Sequence, residues 1–175
     1  MPKVINLFGG PGCGKSTGAA YIFSMLKMRG YNCELVTEFA KDKTWEHNSK
    51  ALTCQPYVFG KQSYRMDRCS DEVDIIVTDS PLFLSAIYNA DNDIEPEFTK
   101  TVIKKFNEFE NYNFFLRRLK EYNPKGRNQT EEEAKLLDNR IKLNLKTFNI
   151  DFEEVDGCRD GYDEIISKIL EDYYG

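Results

Sequence analysis

The chain has 175 residues, a length that suits one domain with one sizeable core. Hydrophobic residues make up 41% and charged residues 30%, ordinary globular proportions that exclude wholesale disorder. A formal net charge of -5 argues against a protein that coats long nucleic acid, so contact with a polyanion requires a local basic patch.

In chain order, residues 4–8 predict a short buried strand. Residues 15–29 carry Ala19, Ile22, Phe23 and Leu26 at helical spacing, and Gly30 stands where a helix C-terminal glycine belongs. Residues 34–37 predict a second strand ending near Glu38, and residues 57–69 a helix. Residues 74–79 form the clearest strand after the first. Pro96 opens a helix to about residue 110, with Val102, Phe106 and Phe109 on one side. Residues 114–116 make a fourth strand, residues 123–128 a loop by their turn residues, and Thr130 with Glu133 has the spacing of a capping box. The helix it starts runs to about residue 146, residues 151–155 give a fifth strand, and residues 157–161 turn the chain. Ile165, Ile166, Ile169 and Leu170 mark a final helix. This alternation predicts an α/β fold with a parallel sheet covered on both faces. No apolar run approaches the ~20 residues of a membrane span, and the start of the chain lacks a signal-peptide pattern. The five cysteines are odd in number and form no C-x-x-C pair. They read as reduced thiols of a soluble, cytoplasmic protein with no membrane association.

The segment between the first strand and first helix matches G-x-x-x-x-G-K-[ST] over residues 9–16. Glycines let the backbone curl so that N–H groups point at phosphate oxygens, and the helix beginning near Lys15 adds its positive end. Gly10, Gly12, Cys13, Gly14, Lys15, Ser16 and Thr17 are therefore placed against the phosphates of ATP. Lys15 reaches the outer phosphates, and the Ser16 hydroxyl holds Mg2+. Cys13 occupies a variable position, although a helix N-terminus can lower a thiol's pKa.

Asp79 ends the third strand, a position suited to organising the magnesium shell, the alternative being a cap for a helix begun by Ser80 and Pro81. Glu38 ends the second strand. It is either the base that accepts a proton from an attacking hydroxyl or a strand-end glutamate paired with Lys41, and Asp42 is a weaker candidate for the base. Arg117, Arg118, Lys120, Lys125 and Arg127 stand against Glu121 alone. Such a stretch is a cationic lid for the transferred phosphoryl group or a solvated charge run, and Pro124 and Gly126 favour the lid. Gln62 and Arg65, with aromatics such as Tyr57, Phe83 and Tyr88, are candidate contacts to a base; otherwise such aromatics are core. His47, the single histidine, reads as a surface residue.

These residues resemble the small P-loop kinases of nucleosides and nucleotides over nearly the whole chain. The resemblance rests on residues 9–17, Val36-Thr37-Glu38-Phe39-Ala40, Val77-Thr78-Asp79-Ser80-Pro81 and Gly126-Arg127. It is strongest toward phage-type members near the nicotinamide-riboside kinase-like proteins, a group that includes kinases of 5-hydroxymethyluracil within DNA. It implies a P-loop kinase fold with a five-stranded sheet in the order 2-3-1-4-5, and one domain over residues 1–175 with a lid at about 117–129. It also implies ATP with Mg2+, and transfer to a hydroxyl or phosphate of a nucleoside, a nucleotide or a modified base in DNA. Lys15, Glu38, Asp79, Arg118 and Arg127 would be catalytic, Arg117 would touch the nucleotide, and the protein would be a monomer or homodimer. A GTPase is excluded by the missing N-K-x-D and D-x-x-G elements, and a transporter ATPase by the missing L-S-G-G-Q. A regulatory AAA-type ATPase calls for a longer chain with a helical second domain. A small ATP-dependent switch remains the non-kinase alternative.

Overall fold

The structure, a computed structural model, describes residues 1–89, 96–119 and 130–174. Five strands, β1 (Lys3–Phe8), β2 (Cys33–Val36), β3 (Ile75–Thr78), β4 (Glu110–Arg117) and β5 (Glu153–Asp156), pair in parallel in the order β2-β3-β1-β4-β5. The helices are α1 (Lys15–Met28), α2 (Phe39–Trp45), α3 (Ser49–Thr53), α4 (Gln55–Ser70), α5 (Leu84–Asn89), α6 (Glu97–Phe106), α7 (Glu131–Thr147) and α8 (Arg159–Tyr174). This is the P-loop kinase fold expected from the sequence.

Side chains alternate across each strand, and both faces of the sheet are buried. On β1, Ile5 and Leu7 meet Ile22 and Leu26 of α1 and Ile165, Ile166 and Ile169 of α8. Val4 and Phe8 point the other way, toward Met66 of α4, Ile87 of α5, Val102 and Phe106 of α6, and Ile141 and Leu145 of α7. Asn6 shares that second face, buried, and its amide donates to Asn111 Oδ1 (2.8 Å) and Asn113 Oδ1 (3.0 Å) of β4. β1 lies at the centre, between β3 and β4, so its carboxyl end opens at the point where strand order reverses, the usual ligand crevice of such sheets.

Several boundaries differ from the sequence expectation. β4 begins at Glu110 rather than at residue 114, because Asn111 and Asn113 are held inside the sheet by Asn6 instead of being left to a loop. The helix after Pro96 stops at Phe106, and Phe109 is buried at the entry to β4. The turn at 157–161 is shorter than expected, since α8 starts at Arg159. α2 and α3 fill residues 39–53, where periodicity was too short to signal a helix. Gly30 does close α1: at φ 86° it donates to Lys27 O (3.0 Å) and Tyr31 N–H donates to Leu26 O (3.1 Å), a Schellman pair. No helix among the described residues is long and apolar enough to cross a membrane.

The capping box also forms. Thr130 Oγ1 accepts from Glu133 N–H and the Glu133 carboxylate accepts from Thr130 N–H. Thr130→Ala is expected to cost about 1 kcal/mol, a fall of roughly 2–4 °C in Tm for a chain of this size by calorimetry.

Candidate functional site

The loop between β1 and α1 is shaped by three glycines at positive φ: Gly9 at 137°, Gly12 at 83° and Gly14 at 104°. Side-chain-bearing residues rarely adopt these angles. Gly14 is the N-cap of α1 and supplies no side-chain cap, so the first-turn N–H groups of α1 face outward for a ligand. The Lys15 ammonium bridges the loop, donating to Gly9 O (2.5 Å) and Gly10 O (3.0 Å). Ser16 and Thr17 are exposed on the first turn.

Cys13 is buried beneath the loop among the β1 and α8 side chains, and its sulfur fills the space that a side chain at Gly9 would need. Any ligand contact at this position is therefore through its backbone. Residues distant in sequence support the loop from below. Tyr162 donates its hydroxyl to Gly14 O (3.0 Å), and a Cβ on Gly157 would lie 2.2 Å from Cys13 O. Neither residue carried a sequence signal beyond Gly157's place in a turn.

Glu38 and Asp79 follow the ends of the paired strands β2 and β3, both toward the loop's side of the sheet. Asp79 is buried and its Oδ1 accepts the backbone N–H of Glu38 (2.9 Å). Burial pushes the Glu38 carboxyl up, the nearby Asp79 charge adds to this, and the Lys15 ammonium opposes it. Glu38 thus lies within the field of both the lysine and the second carboxylate. Two sequence alternatives fall away. Asp42 is ion-paired with Arg65 and is not placed as a base, and Asp79 secures Glu38 rather than capping a helix.

Gln62 and Arg65 were expected as base contacts, and the structure corrects this. Gln62 is buried, with Oε1 accepting from Phe39 N–H (2.9 Å) and Nε2 donating to Thr37 O (3.3 Å). Arg65 donates to Thr37 O (3.1 Å), pairs with Asp42 and lies 5.3 Å from the Phe39 ring centroid. Their polar atoms fix the residues on either side of Glu38. Tyr88 on α5 is 40% exposed, yet burial and the Glu38 charge push its hydroxyl well above a tyrosine's ordinary range, and Asp138 and Arg140 also act on it. Phe83 is wholly core, and His47 is exposed as expected.

Of the basic stretch, Arg117 is exposed and paired with Asp156 (2.7 Å). Arg118 is nearly buried, donating from Nη1 to Pro11 O and from Nη2 to Asp138 Oδ2 (2.9 Å). Lys120, Lys125 and Arg127 lie outside the described residues, as does most of the expected lid. No group of three or more His, Cys, Asp or Glu is placed to hold a metal among the described residues. The hard oxygens of Ser16 and Asp79 suit Mg2+ when phosphate oxygens and water complete the shell. A cavity of about 750 Å³ opens at the opposite end of the sheet beside Lys3 and Glu110.

A family model described as an AAA domain matches residues 4–161. No curated protein matches the chain. Among solved structures, the chain is similar to deoxyadenosine kinase from M. mycoides with bound dATP, with a TM-score of 0.54 and 19% identity over 96% of this chain and 99% of that one. It is likewise similar to the same enzyme with products dCMP and a flexible dCDP bound, with a TM-score of 0.56 and 20% identity over 98% of each chain. At such identities the likeness is one of fold.

Proposed function

The chain belongs to the AAA-domain family, and on that premise we propose that it is an ATP-dependent phosphotransferase, a P-loop kinase acting as one domain over residues 1–175. Membership corrects the expectation that set AAA-type proteins aside for want of a second helical domain. The observation that carries the proposal is the opposition of a lysine-bridged phosphate loop to two carboxylates, Glu38 and Asp79, joined at neighbouring strand ends.

In this reading the N–H groups of residues 12–17, the Gly10 edge of the loop and the Lys15 ammonium bind the ATP phosphates. Ser16 and Asp79 hold Mg2+, which when bound neutralises phosphate charge. Glu38 accepts the proton of the acceptor hydroxyl as its oxygen attacks the γ-phosphorus and the bond to ADP breaks. Arg118 and Arg127 stabilise the transferred phosphoryl, Arg117 contacts the nucleotide, and residues 117–129 act as a lid. The acceptor is a nucleoside, a nucleotide or a modified base, with 5-hydroxymethyluracil in DNA the leading candidate of the phage-type kinases it resembles. The solved neighbours with dATP, dCMP and dCDP support the nucleotide class. The free cysteines support a cytoplasmic setting.

The family match favours one second reading, a small ATPase switch with no small-molecule acceptor. Incubation with γ-labelled ATP and a panel of deoxynucleosides, deoxynucleoside monophosphates and 5-hydroxymethyluracil oligonucleotides separates the two. Label on an acceptor supports the kinase; label released only as inorganic phosphate supports the switch.

A pH profile tests Glu38. Its raised pKa keeps the carboxyl protonated to higher pH than an ordinary glutamate, so kcat/KM should fall on the acid side at an unusually high pH, and Glu38→Gln should remove that limb. The pH dependence of stability runs the opposite way. A raised carboxyl contributes stability below its unfolded pKa and loses it as pH rises through the folded pKa. Glu38→Gln should therefore raise Tm at pH 7 but not at pH 4.

A further inference from the structure

The motif leaves position 10 of the loop free, yet glycine stands there. Its own backbone does not demand this, since positive φ occurs at Gly9, Gly12 and Gly14 and not at Gly10. The demand comes from α7. A Cβ at position 10 would lie 2.7 Å from Ala134 O, 2.7 Å from Asp138 Oδ1 and 3.3 Å from Arg118 Nη2. Ala134 and Asp138 are one helical turn apart on the same face of α7, and that face is pressed onto the loop backbone.

Asp138 uses both carboxylate oxygens in this contact. Oδ1 accepts the Gly10 N–H (2.5 Å) and Oδ2 accepts from Arg118 Nη2 (2.9 Å), while Arg118 itself donates to Pro11 O. The side chains of the pair are 9% and 16% exposed, far drier than the surface ion pairs that contribute little. Arg118 follows directly on β4 and Asp138 sits in the second turn of α7, so the pair ties two separate elements to one edge of the loop.

We propose that Asp138 is a positioning residue for phosphoryl transfer, holding Arg118 and the Gly10–Pro11 edge of the loop in one fixed relation. The proposal rests on the phosphotransferase reading above. The consequence is specific in sign. The Asp138 carboxylate is a negative charge beside a site for negative phosphates. Neutralising it removes that repulsion and leaves the Arg118 charge uncompensated by Asp138, so that bound phosphate is attracted more strongly in the ground state. The same change removes the geometry that aligns Arg118 with the transferred group, and misplacement on the order of 1 Å can cost up to about 10²-fold. Binding and turnover should therefore move in opposite directions, which a purely structural role would not produce.

The test uses Asp138→Asn, which keeps the shape and an oxygen for Gly10, together with Asp138→Ala. Binding of a fluorescent ATP analogue with magnesium is measured apart from steady-state transfer. The expected result is a Kd that tightens about threefold or more and a kcat that falls about tenfold. Combined with Arg118→Ala, the loss in kcat should be much less than the product of the single losses. Unchanged or weaker nucleotide binding by a folded Asp138→Asn protein would overturn the proposal, as would an unchanged kcat. Should the wild-type protein transfer phosphate to no acceptor, the kinase reading fails by itself, and the binding measurement still decides whether Asp138 restrains the loop.

Discussion

Lys15→Ala lowers phosphoryl transfer by about 10²-fold or more and leaves the fold standing. The Lys15 ammonium makes its bonds to the Gly9 and Gly10 carbonyls, at the surface of the loop rather than in the core. Ile22 and Leu26 secure α1 to the sheet without it. The change removes one preorganised positive charge from a site where negative charge shifts during transfer, and losses of that origin are on the order of 10²–10³-fold. A substitution at the first helical position with the best helix former costs little locally. Circular dichroism and thermal unfolding should match the unaltered protein while turnover collapses. Near-normal turnover in a folded Lys15→Ala protein would rule out the assignment.

Asp79→Asn and Glu38→Gln should fail differently, although the two residues are joined. An asparagine at 79 still offers an oxygen to the Glu38 N–H, so the loop after β2 keeps its place. What disappears is the buried negative charge, and with it the hold on magnesium. The variant should need a higher metal concentration and recover part of its rate when that is supplied. Glu38→Gln should keep nucleotide binding and metal dependence and lose the proton acceptor. Because phosphoryl transfer relies chiefly on positioning and charge, the saturated rate should fall by about tenfold to 10²-fold, at the low end of general-base effects. Magnesium-dependent kinetics on both variants decide the matter. If Glu38→Gln shifts the metal dependence and leaves the saturated rate alone, Glu38 belongs to the metal shell.

The candidate site was legible wherever its chemistry depends on neighbours in the chain. Gly9, Gly12 and Gly14 announce a backbone that must visit positive φ, and they do visit it. Lys15 and Ser16 follow at the only spacing that puts them on the first turn of α1. Gln62 and Arg65 show where such reading misleads. An amide and a guanidinium recognise a base edge and a backbone carbonyl with the same atoms. Residue type alone cannot tell a substrate contact from a brace, and here both brace Thr37 and Phe39 around Glu38.

The sequence by itself determined the alternation of strands and helices, the phosphate loop, the capping box at Thr130 and the closing glycine of α1. Each of these is set by hydrogen bonds and dihedral angles within a few residues, and such constraints leave a periodic or positional mark. The tertiary structure alone decided what surrounds the loop. Asp138 bonds a backbone group 128 residues away, Tyr162 one 148 residues away, and Arg118 one 107 residues away. Such partners are brought together by sheet order and by apolar burial on both faces of β1, which depend on the total hydrophobic pattern and not on spacing. The close approach of α7 that makes Gly10 a glycine therefore leaves no trace in the chain until the strands are paired.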